Sequence, residues 1–346
     1  MADKETEIRD SFRRQAEVCR KMDSPITAEA LETAAEKLSP DTRTGTRLLH
    51  WEGDPKGSGD AVSLRLAGGL HAIARKGEDQ ALKAAYAGEA PVAPAVEAAL
   101  TEHDAELYDW LKHPPQTNEV GRAALIMAGL HVAASRYPLP IDLLEIGSSA
   151  GLVLNCNRYR YDLGGLETGE DTSPLLLKPE WHGAPPPQAD VKVVAQRGVD
   201  RNPIYLSSPE AAERLIAYVW PDQPHRIERL ERAIGLARAF SPPIVAGEAA
   251  DWIEKRLATQ QADGILRVLF HTITLQYFSA EDRGRVERAV EQAGAQADRE
   301  HPFGWLSFEL NDAQDNYELR LRLWPSGENL HLANAHPHGD RVKWLV

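Results

Sequence analysis

The chain has 346 residues, 42% hydrophobic and 26% charged, with 25 glycines and 23 prolines; this is room for about two domains, and it excludes wholesale disorder and rod-like repeats. With 39 basic and 52 acidic residues the formal net charge is −13, a field that repels phosphate backbones and anionic lipid and argues against nucleic acid as a partner. No stretch reaches the ~18 uninterrupted apolar residues of a membrane span, and the polar start Met1-Ala-Asp-Lys-Glu-Thr-Glu7 fits neither a secretory nor a transit leader, so no membrane partner and a cytoplasmic location are expected.

Residues 1–114 read as mostly helical. Ile8, Phe12, Cys19 and Met22 fall at helical spacing, which places them on one helix face. Ser24-Pro25 restarts the chain as N-cap and first helical residue, and Ile26, Ala30, Ala34 and Leu38 mark the next buried face. A Gly/Pro/Asp-rich loop is expected over 39–59, then helical stretches from Arg65 and over 91–110. Pro114-Pro115 marks the expected domain boundary.

From residue 115 to 346 the texture alternates. A helix is expected over 119–135, then a short apolar strand, Ile141-Asp-Leu-Leu-Glu-Ile146, running into small residues. An irregular segment follows over 164–190. Strands are expected over 191–195, 244–246, 266–272 and 303–309, with helices over 209–220, 224–240, 250–259 and 280–293. The chain closes on a hairpin, 317–324 and 330–335. Strand and helix in turn imply an α/β fold with a mostly parallel sheet, and the hairpin gives it an antiparallel edge. Cys19 and Cys156 are the two cysteines, in no metal-type spacing.

Glu145-Ile-Gly147-Ser-Ser149-Ala-Gly151 is expected where the first strand turns into a helix. Glycines let such a turn close and let a ligand approach the backbone, and the crevice at the carboxyl ends of the strands is the common binding place in open α/β sheets. A glutamate at the strand end suits a ligand with amino or hydroxyl donors. Gly198-Val-Asp200 puts a second acid after the next strand, where a carboxylate can grip a ribose diol. Ala246-Gly-Glu248-Ala-Ala-Asp251 adds a third after the one following.

This layout resembles the Rossmann-like methyltransferases that use S-adenosylmethionine, with a seven-strand sheet. By that resemblance the cofactor is S-adenosylmethionine, with Glu145 facing its methionyl amine, Asp200 the ribose hydroxyls and Glu248 or Asp251 the adenine edge. Gly147, Ser149 and Gly151 would line the same site. Ser149 stands where a middle glycine is usual, and the 55 residues from 145 to 200 exceed the ~20 of the common pattern, which requires an insertion over about 152–190. Asp162, much nearer in sequence, is the alternative ribose ligand. Over nearly its whole length the chain is similar to the bacterial family catalogued as domain of unknown function 2332. The segments that carry the similarity are Pro115-Gln-Thr-Asn-Glu-Val-Gly-Arg122, Leu144-Glu-Ile-Gly-Ser-Ser-Ala-Gly-Leu152, Arg158-Tyr-Arg-Tyr-Asp162, Tyr218-Val-Trp-Pro-Asp-Gln223 and His336-Pro-His-Gly339.

His271, ending the fourth strand, is the candidate general base, although methyl transfer mainly needs positioning and exclusion of water. A histidine hydrogen-bonded at a strand end is the plainer account. Asn118 and Glu119 either cap the following helix or close over the cofactor. Arg158, Tyr159 and Gln276 are candidate substrate contacts. Proline between His336 and His338 reads as a turn, and no metal is expected there. The expected protein is therefore a helical N-terminal domain (1–114), lid or substrate platform, joined to a methyltransferase-type domain (115–346). Its expected activity is methyl transfer to a small-molecule substrate. A non-catalytic protein that keeps the fold for regulation is the alternative, and an NAD(P)-dependent enzyme a third possibility.

Overall fold

The computed structural model describes residues 2–57 and 59–346, with side chains from Lys4 onward. The helices in chain order are α1 (Ala2–Lys21), α2 (Pro25–Lys37), α3 (Arg43–Leu49), α4 (Val62–Lys76), α5 (Gln80–Tyr86), α6 (Val92–Glu102), α7 (Asp104–Trp110), α8 (Arg122–Arg136), α9 (Pro209–Ala217), α10 (Pro224–Ala239), α11 (Ala249–Leu257) and α12 (Ala280–Gln296). The strands are β1 (Ile141–Ile146), β2 (Arg160–Leu163), β3 (Leu166–Gly169), β4 (Leu176–Leu177), β5 (Glu180–His182), β6 (Val193–Asp200), β7 (Ile244–Ala246), β8 (Leu266–Thr272), β9 (Phe303–Leu310), β10 (Tyr317–Trp324), β11 (Glu328–Ala335) and β12 (Arg341–Trp344). The chain divides into two compact units, Met1–Thr117 with Ser208–Glu228, and Asn118–Ser207 with Arg229–Val346.

The first unit is helical. Ile8, Phe12, Ala16 and Cys19 form the buried face of α1, packed with Ala28, Leu31, Ala34 and Ala35 of α2. Burial pushes the Cys19 thiol up to about 12. Ser24 stands at the N-cap of α2 without capping it; its hydroxyl turns to Asp222, whose carboxylate takes the Ile26 amide at 2.8 Å. The expected 39–59 loop contains α3, capped by Thr42 Oγ1 on the Gly45 amide. Helix α9 belongs to this unit, although it begins at Pro209, 94 residues past Pro115. Tyr218 fills the space that a side chain at Gly68 would need, and His71 Nδ1 meets the Ala217 carbonyl at 3.0 Å. Such long-range packing leaves no local trace in sequence.

The second unit is built on a nine-stranded sheet rather than the seven strands expected, in the order β5-β12-β11-β10-β9-β8-β1-β6-β7. Strands β7, β6, β1, β8 and β9 run parallel, and β10 to β12 form an antiparallel meander closed by β5. The mixed α/β class, the mostly parallel sheet and the antiparallel C-terminal strands agree with the sequence reading. The extra strands are β12 and β5; β5 comes from the segment read as irregular and pairs with residues 341–343. Strands β3, β2 and β4 from the same segment make a separate small sheet.

Alternation along the strands gives the sheet two faces. Leu144 and Ile146 of β1 share a core with Val199, Leu269, Phe303, and residues of α11 and α12. Helix α8 lies on the opposite face, where Gly129 sits against Leu306. Glu145 points to this second face, in one register row with Gly198, Phe270 and Leu306.

Candidate functional site

Strand β1 is flanked by β6, which follows it in sequence, and by β8, which comes later. Strand order therefore reverses at β1, and its carboxyl end is the topological switch point where open α/β sheets bind ligands. The α-helix expected directly after β1 is absent. Gly147, Ser149 and Gly151 all have φ between 52° and 72°, a left-handed backbone that cannot continue an α-helix, and a short 3-10 turn, Leu154–Arg158, takes its place. Thr274 fills the position a Gly147 Cβ would occupy, and Pro242 and Ile244 crowd Gly151, so both glycines are required by packing as well as by φ.

The loop's backbone is largely engaged. Gly147 and Ser148 amides bond the Val199 carbonyl, the Ser149 amide bonds Asp200 Oδ2 at 2.8 Å, and the Leu152 amide bonds Asn118 Oδ1 at 2.7 Å. Several single side-chain atoms are not. Glu145 Oε2, Ser149 Oγ, Asn157 Oδ1 and Arg158 Nε are buried without a hydrogen-bond partner among the described residues. Orphaned buried polar atoms are rare and costly, and these four lie within fourteen residues around the end of β1. Burial holds the Glu145 carboxyl well above the ordinary carboxylate range; the Ser148 hydrogen bond opposes this, and nearby Asp200 reinforces it.

Asp200 shares the Glu145 face, two residues beyond Gly198 on β6. Both its oxygens already accept backbone amides, Oδ1 from Asn202 and Oδ2 from Ser149, each at 2.8 Å. Asp162 serves its own hairpin, accepting from the Gly165 amide and pairing with Lys178 at 2.8 Å. Glu248 holds Arg201 through both oxygens, and Asp251 holds Arg285. The structure thus brings Glu145, Ser149 and Asp200 together, while Glu248 and Asp251 are drawn to arginines.

His271 lies on the other side of the sheet from Glu145, by alternation from Phe270, and is fully buried. Nδ1 meets Glu309 Oε1 at 2.7 Å and Nε2 accepts the Trp305 indole N–H at 3.0 Å. Glu309 Oε1 also receives the Thr274 amide at 2.8 Å. With both ring nitrogens engaged, His271 has no lone pair left for a substrate proton and acts as a packing and positioning group. Tyr159 is likewise interior, its hydroxyl donating to the Leu152 carbonyl at 2.6 Å. Gln276 is exposed. Arg158 lies over the Phe240 ring at 4.4 Å. Glu119 accepts the Gly121 amide and pairs with Arg229 at 2.7 Å; α8 itself begins three residues later, at Arg122.

Two concavities lie elsewhere, and neither contains a sequence-predicted site residue. One, of about 800 Å³, lies in the helical unit beside Arg43, Arg47, Trp51 and Tyr108. The other, of about 190 Å³, lies beside Arg267 and His301 at the amino ends of β8 and β9.

Residues 9–344 match the family described as "Uncharacterized protein conserved in bacteria (DUF2332)". The chain belongs to that family. No curated protein and no solved structure matches it. Two of the segments that carry the DUF2332 similarity meet in the second unit. Arg122 Nε donates to the Pro337 carbonyl at 2.8 Å and its Nη1 to the Thr272 carbonyl at 3.1 Å. Gly121 has no room for a side chain beneath the His338 carbonyl. Sequence reasoning did not single out Arg122, Asn157, Arg229 or Glu309. Arg122, Arg229 and Glu309 are defined by partners far along the chain, and Asn157, between Cys156 and Arg158, carried no local signal.

Proposed function

We propose that the second unit of this DUF2332 protein binds S-adenosylmethionine at the carboxyl end of β1 and transfers its methyl group to a small-molecule acceptor. The observation that carries the reading is the buried Glu145 carboxyl, with Oε2 unpartnered among the described residues at the switch point of the sheet. A ligand amine supplies the missing donor and, being cationic, favours the ionised carboxylate. Asp200, on the same face, keeps a second lone pair on each oxygen for ribose hydroxyls. Glu248 and Asp251 reach the adenine edge only by leaving Arg201 and Arg285. When bound, the cofactor supplies an electrophilic methyl group. The chain's residues bind it, orient it and exclude water, which is most of what methyl transfer requires.

The test is calorimetric titration with S-adenosylmethionine, S-adenosylhomocysteine and NAD(P). Binding of the first two, weakened by Asp200→Ala and untouched by Asp162→Ala, supports the reading. Binding of NAD(P) alone, or of none of them, overturns it. The engagement of both His271 nitrogens favours a second reading, a protein that binds the cofactor without turning it over; methylation of an acceptor in a metabolite screen decides between the two.

A further inference from the structure

The turn joining β11 to β12 reads in sequence as structural. It is held tightly: the His336 amide bonds the Arg341 carbonyl at 2.9 Å and the Gly339 amide bonds the His336 carbonyl at 2.8 Å. Gly339 has φ +74° and lies directly against the Gly121 carbonyl. The proline does not splay the flanking histidines apart. The His336 and His338 rings stand edge-on with centroids 5.0 Å apart, and one donor atom each from His336, His338 and Asp340 lies within 4.8 Å of the others. His338 is 9% exposed.

We propose that His336, His338 and Asp340 form a site for one first-row divalent cation of the zinc class. Two imidazoles and a carboxylate, with no thiolate, suit such a borderline ion rather than Mg²⁺ or Ca²⁺, which take oxygen ligands. Three protein ligands leave a coordination position for water or substrate, the pattern of open rather than structural zinc sites. An outer shell is already built. Arg229 holds Asp340 Oδ1 at 2.6 Å and Glu119 at 2.7 Å, and Arg122 grips the turn at the Pro337 carbonyl. Outer-shell partners of this kind fix ligand orientation. Formal charges of Glu119, Asp340, Arg229 and Arg122 cancel, so the site draws a cation through its ligand atoms rather than through net charge. The His301 cluster offers a contrast: Asp298 and Asp263 bond opposite ring nitrogens, at 3.0 and 2.9 Å, so its donors diverge. The inference is independent of the cofactor reading.

The full chain, stripped with a chelator, is titrated with Co²⁺ and then with Zn²⁺. One equivalent of Co²⁺ is expected to give visible bands stronger than those of the aqua ion, and Zn²⁺ to abolish them. His336→Ala, His338→Ala and Asp340→Asn should each weaken binding by at least ~100-fold, the upper end of what losing a mere outer-shell partner costs; His301→Ala should not. Because Asp340→Asn releases Arg229 and can compromise folding, the wild-type protein is also followed by imidazole ¹⁵N resonances during Zn²⁺ titration. Shifts at His336 and His338 support the site. An aqua-ion spectrum at protein excess, shifts confined to other histidines, or folded His336→Ala that binds as wild type overturns it.

Discussion

The Glu145 loop and the His271 network lie at the carboxyl ends of two neighbouring strands, on opposite faces of the sheet, and they handle buried polarity in opposite ways. Around His271 every polar group named has a partner: Glu309, Trp305 and the Thr274 amide close the network. Around Glu145, buried oxygens and a guanidinium nitrogen lack partners among the described residues. Satisfied polar networks rigidify a core, whereas unsatisfied ones lower stability unless something else fills the need. The contrast separates a histidine whose ring nitrogens are both bonded from a glutamate with one buried oxygen left unbonded among the described residues, though both are polar residues near strand ends.

The largest effect expected from breaking this contrast is at His271. His271→Ala removes a buried ring and strands Glu309 and Trp305, and should lower the unfolding free energy by ~3–4 kcal/mol in denaturant titration. Affinity for S-adenosylmethionine should stay within about twofold, ~0.4 kcal/mol, since His271 projects to the face opposite Glu145; a large loss would move His271 into the site. Asp200→Ala frees the Ser149 and Asn202 amides and should cost ~1–2 kcal/mol.

Glu145→Gln sharpens the comparison through pH. Its folded-state carboxyl is raised by burial, so wild-type stability is fully present below the unfolded carboxylate range and falls as pH rises toward the raised value. The variant lacks this slope, and the melting temperature difference in its favour should widen as pH rises above the ordinary carboxylate range. The same acid should release a proton when a cationic ligand binds, seen as a binding enthalpy that varies with buffer ionisation heat. The smallest effect is at Arg201, whose pair with Glu248 is exposed; Arg201→Ala should cost under ~1 kcal/mol.

Acid acts on the helical unit through His71. Burial lowers His71 from 6.5 to about 4, so its stabilising contribution is complete above the ordinary histidine range and is lost as pH falls through that window. His71→Gln should flatten the acid limb of stability of this unit.

Much of the second unit was legible because its parallel strands are short apolar runs between amphipathic helices. Glu145 and Asp200 were legible from position alone, as acids closing adjacent strands. What escaped was non-local. Strand β5 is defined by residues 341–343, and His271 by Glu309 and Trp305 some 34 to 38 positions onward. The loop after β1 resembles a helix start in composition, but its left-handed Ser149 is set by Asp200 on the neighbouring strand. The Gly/Pro-rich texture of 164–190 concealed short strands because pairs of two to four residues leave no periodicity to read.

The sheet terminates at each rim in a ribbon of three residues, β5 on one side and β7 on the other. So brief a margin offers few unsatisfied amides to a foreign strand, and long exposed borders are what template edge-to-edge aggregation. Taking β5 from a distant segment therefore shields the C-terminal strand β12, which would otherwise be the sheet's open border.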